Sequence, residues 1–143
     1  MKQSILFALI AIFYVTASSG QETRVVERKD VDSKVKLEQV VSGYLTELNG
    51  KYKLTITETT FKPGGHVAEH HHVGPGIRVM TAGELTLIDA GRTRIYKAGD
   101  IFYESGDVTT SAYNKGNVPA VVLNFEILPV DWKGGSAVPP KSK

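Results

Sequence analysis

The chain has 143 residues, which is one domain's worth against the usual span of about 100 to 200 residues and argues against a multidomain enzyme. An apolar fraction of 41% with 22% charged residues excludes overall disorder, a collagen-like repeat and a coiled coil. Seventeen basic residues against fifteen acidic ones leave +2, far from the basic stripe with which a nucleic-acid binder displaces counterions, so no nucleic-acid partner is expected. The absence of cysteine removes disulfides, Fe–S clusters, thiolate zinc sites and cysteine nucleophiles. Any metal must therefore take nitrogen and oxygen ligands.

Residues 1–20 read as an export signal: Lys2 supplies the positive start, Ile5 to Val15 is an apolar run, and small residues lead to Gly20. Eleven apolar residues fall short of the roughly 17 to 25 needed to span a bilayer, so no stable membrane anchor is expected and the protein is expected to be exported, periplasmic or secreted. Residues 21–36 are charged and without period, and read as an irregular N-terminal arm. From residue 37 to 130 short β-type runs alternate with glycine punctuation. Gln39 to Leu48, Asn49-Gly50 and Tyr52 to Phe61 form a hairpin signal, and Lys62-Pro63-Gly64-Gly65 is expected to end that strand. Further runs lie at Ile77 to Thr81, Glu84 to Asp89, Thr93 to Tyr96, Ile101 to Glu104, Val108 to Asn114 and Ala120 to Leu128. No stretch has a 3.6-residue amphipathic period, which makes the fold all-β, a sandwich or a closed barrel. Residues 131–143 read as a loose C-terminal tail.

All four histidines fall between His66 and His72. In an extended backbone alternate side chains share a face, so His70 and His72 point one way and His71 the other. The pair makes a two-nitrogen chelate suited to zinc, copper, iron or nickel. His66 shares their parity but adjoins Gly64-Gly65, where extended geometry is in question. The plainer readings of the cluster are a solvated polar loop and a histidine tract that buffers metal without catalysis.

The order of features resembles the cupin superfamily. Gly64, five residues, His70-x-His72 and then Gly83 follow its first motif, G-x5-H-x-H-x3or4-E-x6-G. Gly99 and Asn114 match its second, G-x5-P-x-G-x2-H-x3-N, with Ser105 in place of the proline and Asp107 in place of the glycine. The resemblance runs from about Gln39 to Leu128, with Asp89-Ala90-Gly91 as the turn between the motifs. It implies a small single-domain jelly-roll barrel, a homodimer as the common assembly, and an internal divalent transition metal (Zn, Fe, Mn, Ni or Cu) held by three histidines and a glutamate. The glutamate would fall at Gly76 and the third histidine at Thr110. His70 and His72 thus remain as the metal ligands, and Glu69, His71, Glu84 and Glu104 are the candidates to compensate, Glu104 first because it leads into the second motif.

If alternation carries through from Gly76, Arg78 and Met80 point into the barrel, where an unpaired guanidinium would be costly. Arg78 then needs an anion: either a substrate carboxylate or phosphate, or a structural partner in Glu84 or Glu104, the pairing we favour. Arg78, Glu104 and Thr110 are accordingly the candidate substrate-contacting residues. No nucleophile elbow, phosphate-binding loop or dinucleotide fingerprint is present. The sequence reads as an exported cupin that binds a metal through His70 and His72 and takes a small organic ligand. As an enzyme it would be of dioxygenase, isomerase or lyase type; the alternative is a non-catalytic barrel that binds a small ligand or metal, with a degenerate metal site.

Overall fold

The computed structural model describes residues 25–140, so the expected signal segment 1–20 lies outside the described residues. Nine strands follow in order: β1 (Arg28–Val40), β2 (Tyr52–His72), β3 (Gly76–Ala82), β4 (Glu84–Asp89), β5 (Arg92–Lys97), β6 (Ile101–Glu104), β7 (Thr110–Tyr113), β8 (Ala120–Pro129) and β9 (Ala137–Val138). Every pairing is antiparallel, in the order β5-β4-β7-β2-β8-β3-β6 with β1 and β9 also on β2. The result is a nearly closed all-β jelly-roll barrel with no helix among the described residues.

Two segments differ from the sequence reading. The stretch expected as an irregular arm is mostly strand: β1 begins at Arg28 and pairs with β2 from Arg28↔Val67 to Val40↔Lys53. It is an edge strand paired with β2, with nearly every residue exposed, so no apolar alternation announces it. Strand β2 does not end at Lys62-Pro63-Gly64-Gly65. It runs on for 21 residues, bending where Gly64 takes φ +75°, and changes neighbours: Leu54 to Phe61 pair with β8, His66 to His70 with β7. The tail is not loose at β9, where Ala137 and Val138 pair with His72 and His71.

Inward positions divide the barrel into an apolar and a polar end. Phe61, Val67, Met80, Leu85, Leu87, Phe102, Ala112, Ala120 and Val122 form the core, and Tyr96 stacks on Phe102 with ring centroids 4.0 Å apart. Each of the larger ones, the valines, leucines, phenylalanines and Met80, contributes about 1.5 to 3 kcal/mol once buried, before the cost of ordering it. Asn114 of the second motif is a structural brace, its Nδ2 donating to Phe61 O and Val118 O at 3.0 and 2.8 Å while its Oδ1 accepts from Gly116 N. On β3 the inward series is Gly76, Arg78, Met80, as alternation requires, so the guanidinium lies at the polar end and the thioether in the core.

Candidate functional site

The polar end is assembled from β2, β3, β6, β7, β8 and the segment before β9. It opens on a cavity of about 680 Å³ whose lining includes His70, His72, Arg78, Glu104, Thr110 and Glu126. The five residues expected as metal ligands or substrate contacts, His70, His72, Arg78, Glu104 and Thr110, therefore meet at one place. Thr110 pairs directly with His70 across β2 and β7, which puts the two motifs in the register their spacing implies.

The histidines are sorted by a β-bulge. The register slips between Val67 and His70, so Val67 and His70 both face inward although three residues apart, and His66 is left outside. There His66 Nε2 lies 3.3 Å from Glu27 Oε1, and its ring stacks on Tyr113. His71 takes the face opposite to His70 and does not line the cavity. Ala68, within the bulge, accepts the Nδ1–H of His70 at 2.7 Å. A carbonyl can only accept, so Nδ1 carries the proton and Nε2 presents a lone pair to the cavity. Burial, the largest influence, pulls the His70 pKa down to about 4, assisted by the neighbouring His72, so the ring is neutral at physiological pH.

His72 meets His70 edge to face, with centroids 4.9 Å apart. Its Nδ1 lies 3.0 Å from Ser136 Oγ and 3.2 Å from Glu126 Oε1, and its Nε2 lies 3.4 Å from Glu104 Oε2. Ser136 in turn donates to Glu126 Oε1 at 2.6 Å. Arg78, 2% exposed, donates from Nε to Glu104 Oε2 at 2.7 Å and from Nη2 to Glu126 Oε1 at 3.0 Å. Thr110 Oγ1 donates to Glu104 Oε1 at 3.4 Å. Burial alone would push the Glu126 carboxyl up, but the hydrogen bonds and charges of His72, Arg78 and Ser136 outweigh it and hold the pKa at about 2.

Arg78 thus has the structural partner favoured for it, Glu104, together with a second that the sequence reading missed. Two of its nitrogens are spent on carboxylates and the third, Nη1, is sealed from solvent without a partner. It is not placed to clamp a substrate anion. Glu126 and Ser136 went unnoticed for different reasons. Glu126 was detectable, since it occupies the inward parity of β8 with Val122 and Leu128 on either side. Nothing in the Gly-Gly-Ser tail announced that Ser136 folds back onto His72. Of the candidate compensators only Glu104 lines the cavity; Glu69, His71 and Glu84 do not.

The donor set does not fit a resident divalent metal. Among the described residues no three His, Asp or Glu side chains converge as ligands. Both glutamates are already engaged by Arg78, and both ring nitrogens of His72 face hydrogen-bonding or carboxylate oxygens. The expected glutamate position, Gly76, is filled from above by Arg78 Nη1.

A nearly closed antiparallel barrel of this strand order around an internal cavity belongs to the jelly-roll class of small barrels. Residues 57–126 match the family model described as Cupin domain, and the structure they form is a small cupin-type barrel domain. Similar solved structures include a predicted oxalate decarboxylase from Thermotoga maritima, at 24% identity over 72% of this chain and 91% of that one with a TM-score of 0.55. A cupin-like protein from the same organism matches at 20% identity over 79% of each chain with a TM-score of 0.54. KdgF from Halomonas sp. matches at 15% identity over 70% of this chain and 84% of that one, with a TM-score of 0.53. At these identities the likeness is one of fold. No curated protein matches the sequence.

Proposed function

We propose that the barrel binds a small, uncharged, hydroxyl-rich organic molecule in its cavity, with His70 Nε2 and the Glu104 carboxylate accepting hydrogen bonds from its hydroxyls. The observation that carries this reading is the fixed tautomer of His70: a buried, neutral ring whose proton is tied to Ala68 O offers the cavity an acceptor and no donor. The charges nearby argue for a neutral ligand. Glu104 and Glu126 are offset by Arg78, and Arg28 adds its field at Glu126, so the polar end demands neither a cation nor an anion. Inward threonines along β2, Thr55, Thr57 and Thr59, supply further hydroxyls on the cavity wall. A cavity of about 680 Å³ lies within the range of about 300 to 1,000 Å³ typical of small-molecule sites.

The test is thermal-shift screening of the purified protein against monosaccharides, polyols and hydroxy acids, followed by calorimetry on hits. Neutral polyols or sugars should raise the melting temperature, and His70→Ala and Glu104→Gln should each weaken the hit about tenfold or more, the scale of a lost hydrogen bond to a buried acceptor. A hit bound equally well by both variants, or a response confined to carboxylates, overturns the reading.

A further inference from the structure

We propose that Arg78 stands permanently in the place of a metal ion, so that this barrel holds its polar end together with an internal guanidinium and works without a divalent cation.

Three observations meet at one point. Gly76 on β3 lies in register with Glu104 on β6 to one side and with Glu126 on β8 to the other, so two carboxylates flank the same inward position from adjacent strands. Two residues along the same face, Arg78 turns back over Gly76 and joins both, Nε to Glu104 at 2.7 Å and Nη2 to Glu126 at 3.0 Å. The space Nη1 occupies exists only because residue 76 has no side chain: a β-carbon there would overlap Nη1 and lie 3.0 Å from Glu126 Cγ. The glycine and the arginine are thus two halves of one device.

A delocalised cation with donors in a planar fork suits this task. It bonds two carboxylates from different strands, as a metal bridging them would, and offsets one of their two charges, but is covalently fixed and always charged. It also excludes a metal, since a divalent ion beside it would meet a fixed positive charge 2% exposed to solvent, where screening is weak. The same device explains why His72, next to Glu104 and Glu126, faces carboxylate and serine oxygens rather than an open coordination position. The inference is independent of which molecule the cavity takes, because it concerns what holds the carboxylates.

The experiment is titration of the purified, chelator-treated protein with Zn²⁺, Mn²⁺ and Ni²⁺, read by calorimetry and by bound metal per chain. Wild type should bind no stoichiometric metal and show no metal-dependent rise in melting temperature. Arg78→Met, which frees both glutamates beside His70 and His72, should bind one ion per chain with affinity gained by at least about tenfold, the scale on which one carboxylate partner alters metal affinity. Arg78→Lys keeps the charge and should behave like wild type. Should Arg78→Met fold only when metal is supplied, that supports the proposal in the same sense. One equivalent of metal bound tightly by wild type and lost in His70→Ala overturns it, as does an Arg78→Met protein that folds and gains nothing. None of these outcomes bears on polyol binding, which is read separately.

Discussion

Arg78 and Gly76 share one space: the guanidinium lies where a side chain on Gly76 would have to go, and a β-carbon there would also come within 2.7 Å of the Phe125 carbonyl oxygen. Gly76→Ala must therefore either push the guanidinium off Glu104 and Glu126 or move β3 away from β8. Both are costly, one by breaking a buried charge cluster and the other by overpacking. We expect a loss of about 2 to 4 kcal/mol, seen as a lower denaturation midpoint at an unchanged slope. A fully stable Gly76→Ala protein would show that Arg78 is not held as described.

Acid stability should fall in two stages. The His70 pKa is lowered from 6.5 to about 4, so between those values the unfolded chain binds the proton that the folded one refuses. The stabilisation is complete above pH 6.5 and is lost as pH falls toward 4, a total of about 3 kcal/mol. Glu126, lowered from 4.5 to about 2, contributes stability that is complete above pH 4.5 and is lost as pH falls through 2. Urea denaturation at half-unit steps of pH should show the first limb flattened in His70→Phe and retained in Glu126→Gln. An identical profile for wild type and His70→Phe would contradict the burial argument.

Much of the barrel could be read from short apolar runs: β3 and β6 alternate between a wet and a dry face, and β4 is buried over three successive residues. Glu84–Asp89 and Ile101–Glu104 fall where the apolar runs place them. Strand β1 escaped because it pairs beside β2 at a sheet edge with both faces largely wet, and a strand without a buried face leaves no period to detect. The bend at Pro63-Gly64 was read as an end because the chemistry of a turn and of a bent strand is the same locally; only the change of neighbour from β8 to β7 distinguishes them. In the site, motif spacing brought His70 opposite Thr110, and parity turned Arg78 inward toward Glu104. The contacts of Ser136 depend on where a short tail returns, which no local pattern encodes.

That returning tail should matter energetically. Ser136 links the Glu126 side chain of β8 to the far end of β2, donating to Glu126 and lying against His72 Nδ1, while Ala137 and Val138 extend the sheet beside His71 and His72. Ser136→Ala should cost about 1.5 to 3 kcal/mol, the usual worth of a hydrogen bond to a charged group. Amide exchange should quicken at residues 136–138 and at Val73, whose N–H donates to Ser136 O at 3.0 Å, with the β4–β5 hairpin unchanged. Uniform quickening everywhere would mean that the tail acts on global stability alone.

We also propose export, on the sequence pattern of Lys2, the Ile5 to Val15 run and the small residues ending at Gly20. Mass spectrometry of the protein from its native host should find an N-terminus near Gln21. Intact Met1 on soluble protein in the cytoplasmic fraction would refute it.

Thr110 offers the sharpest separation between a site that lacks a ligand and a site that already holds a cation. It pairs with His70 across the β2–β7 ladder, and its hydroxyl lies 3.4 Å from Glu104 Oε1, so an imidazole introduced there would join the His70–His72 end of the cavity. If metal binding were absent only for want of a third imidazole, Thr110→His alone would restore it. With Arg78 in place we expect no such gain, because the carboxylates stay engaged and the fixed charge remains. In the Arg78→Met background the same substitution should tighten Zn²⁺ binding further, and the two changes should couple by more than about 1.4 kcal/mol, a factor of ten in affinity. Calorimetric titration of the four proteins closes the cycle. Tight one-to-one binding by the Thr110→His single variant would show that Arg78 is no obstacle to a metal, and the guanidinium would then be a brace beside the site instead of the cation within it.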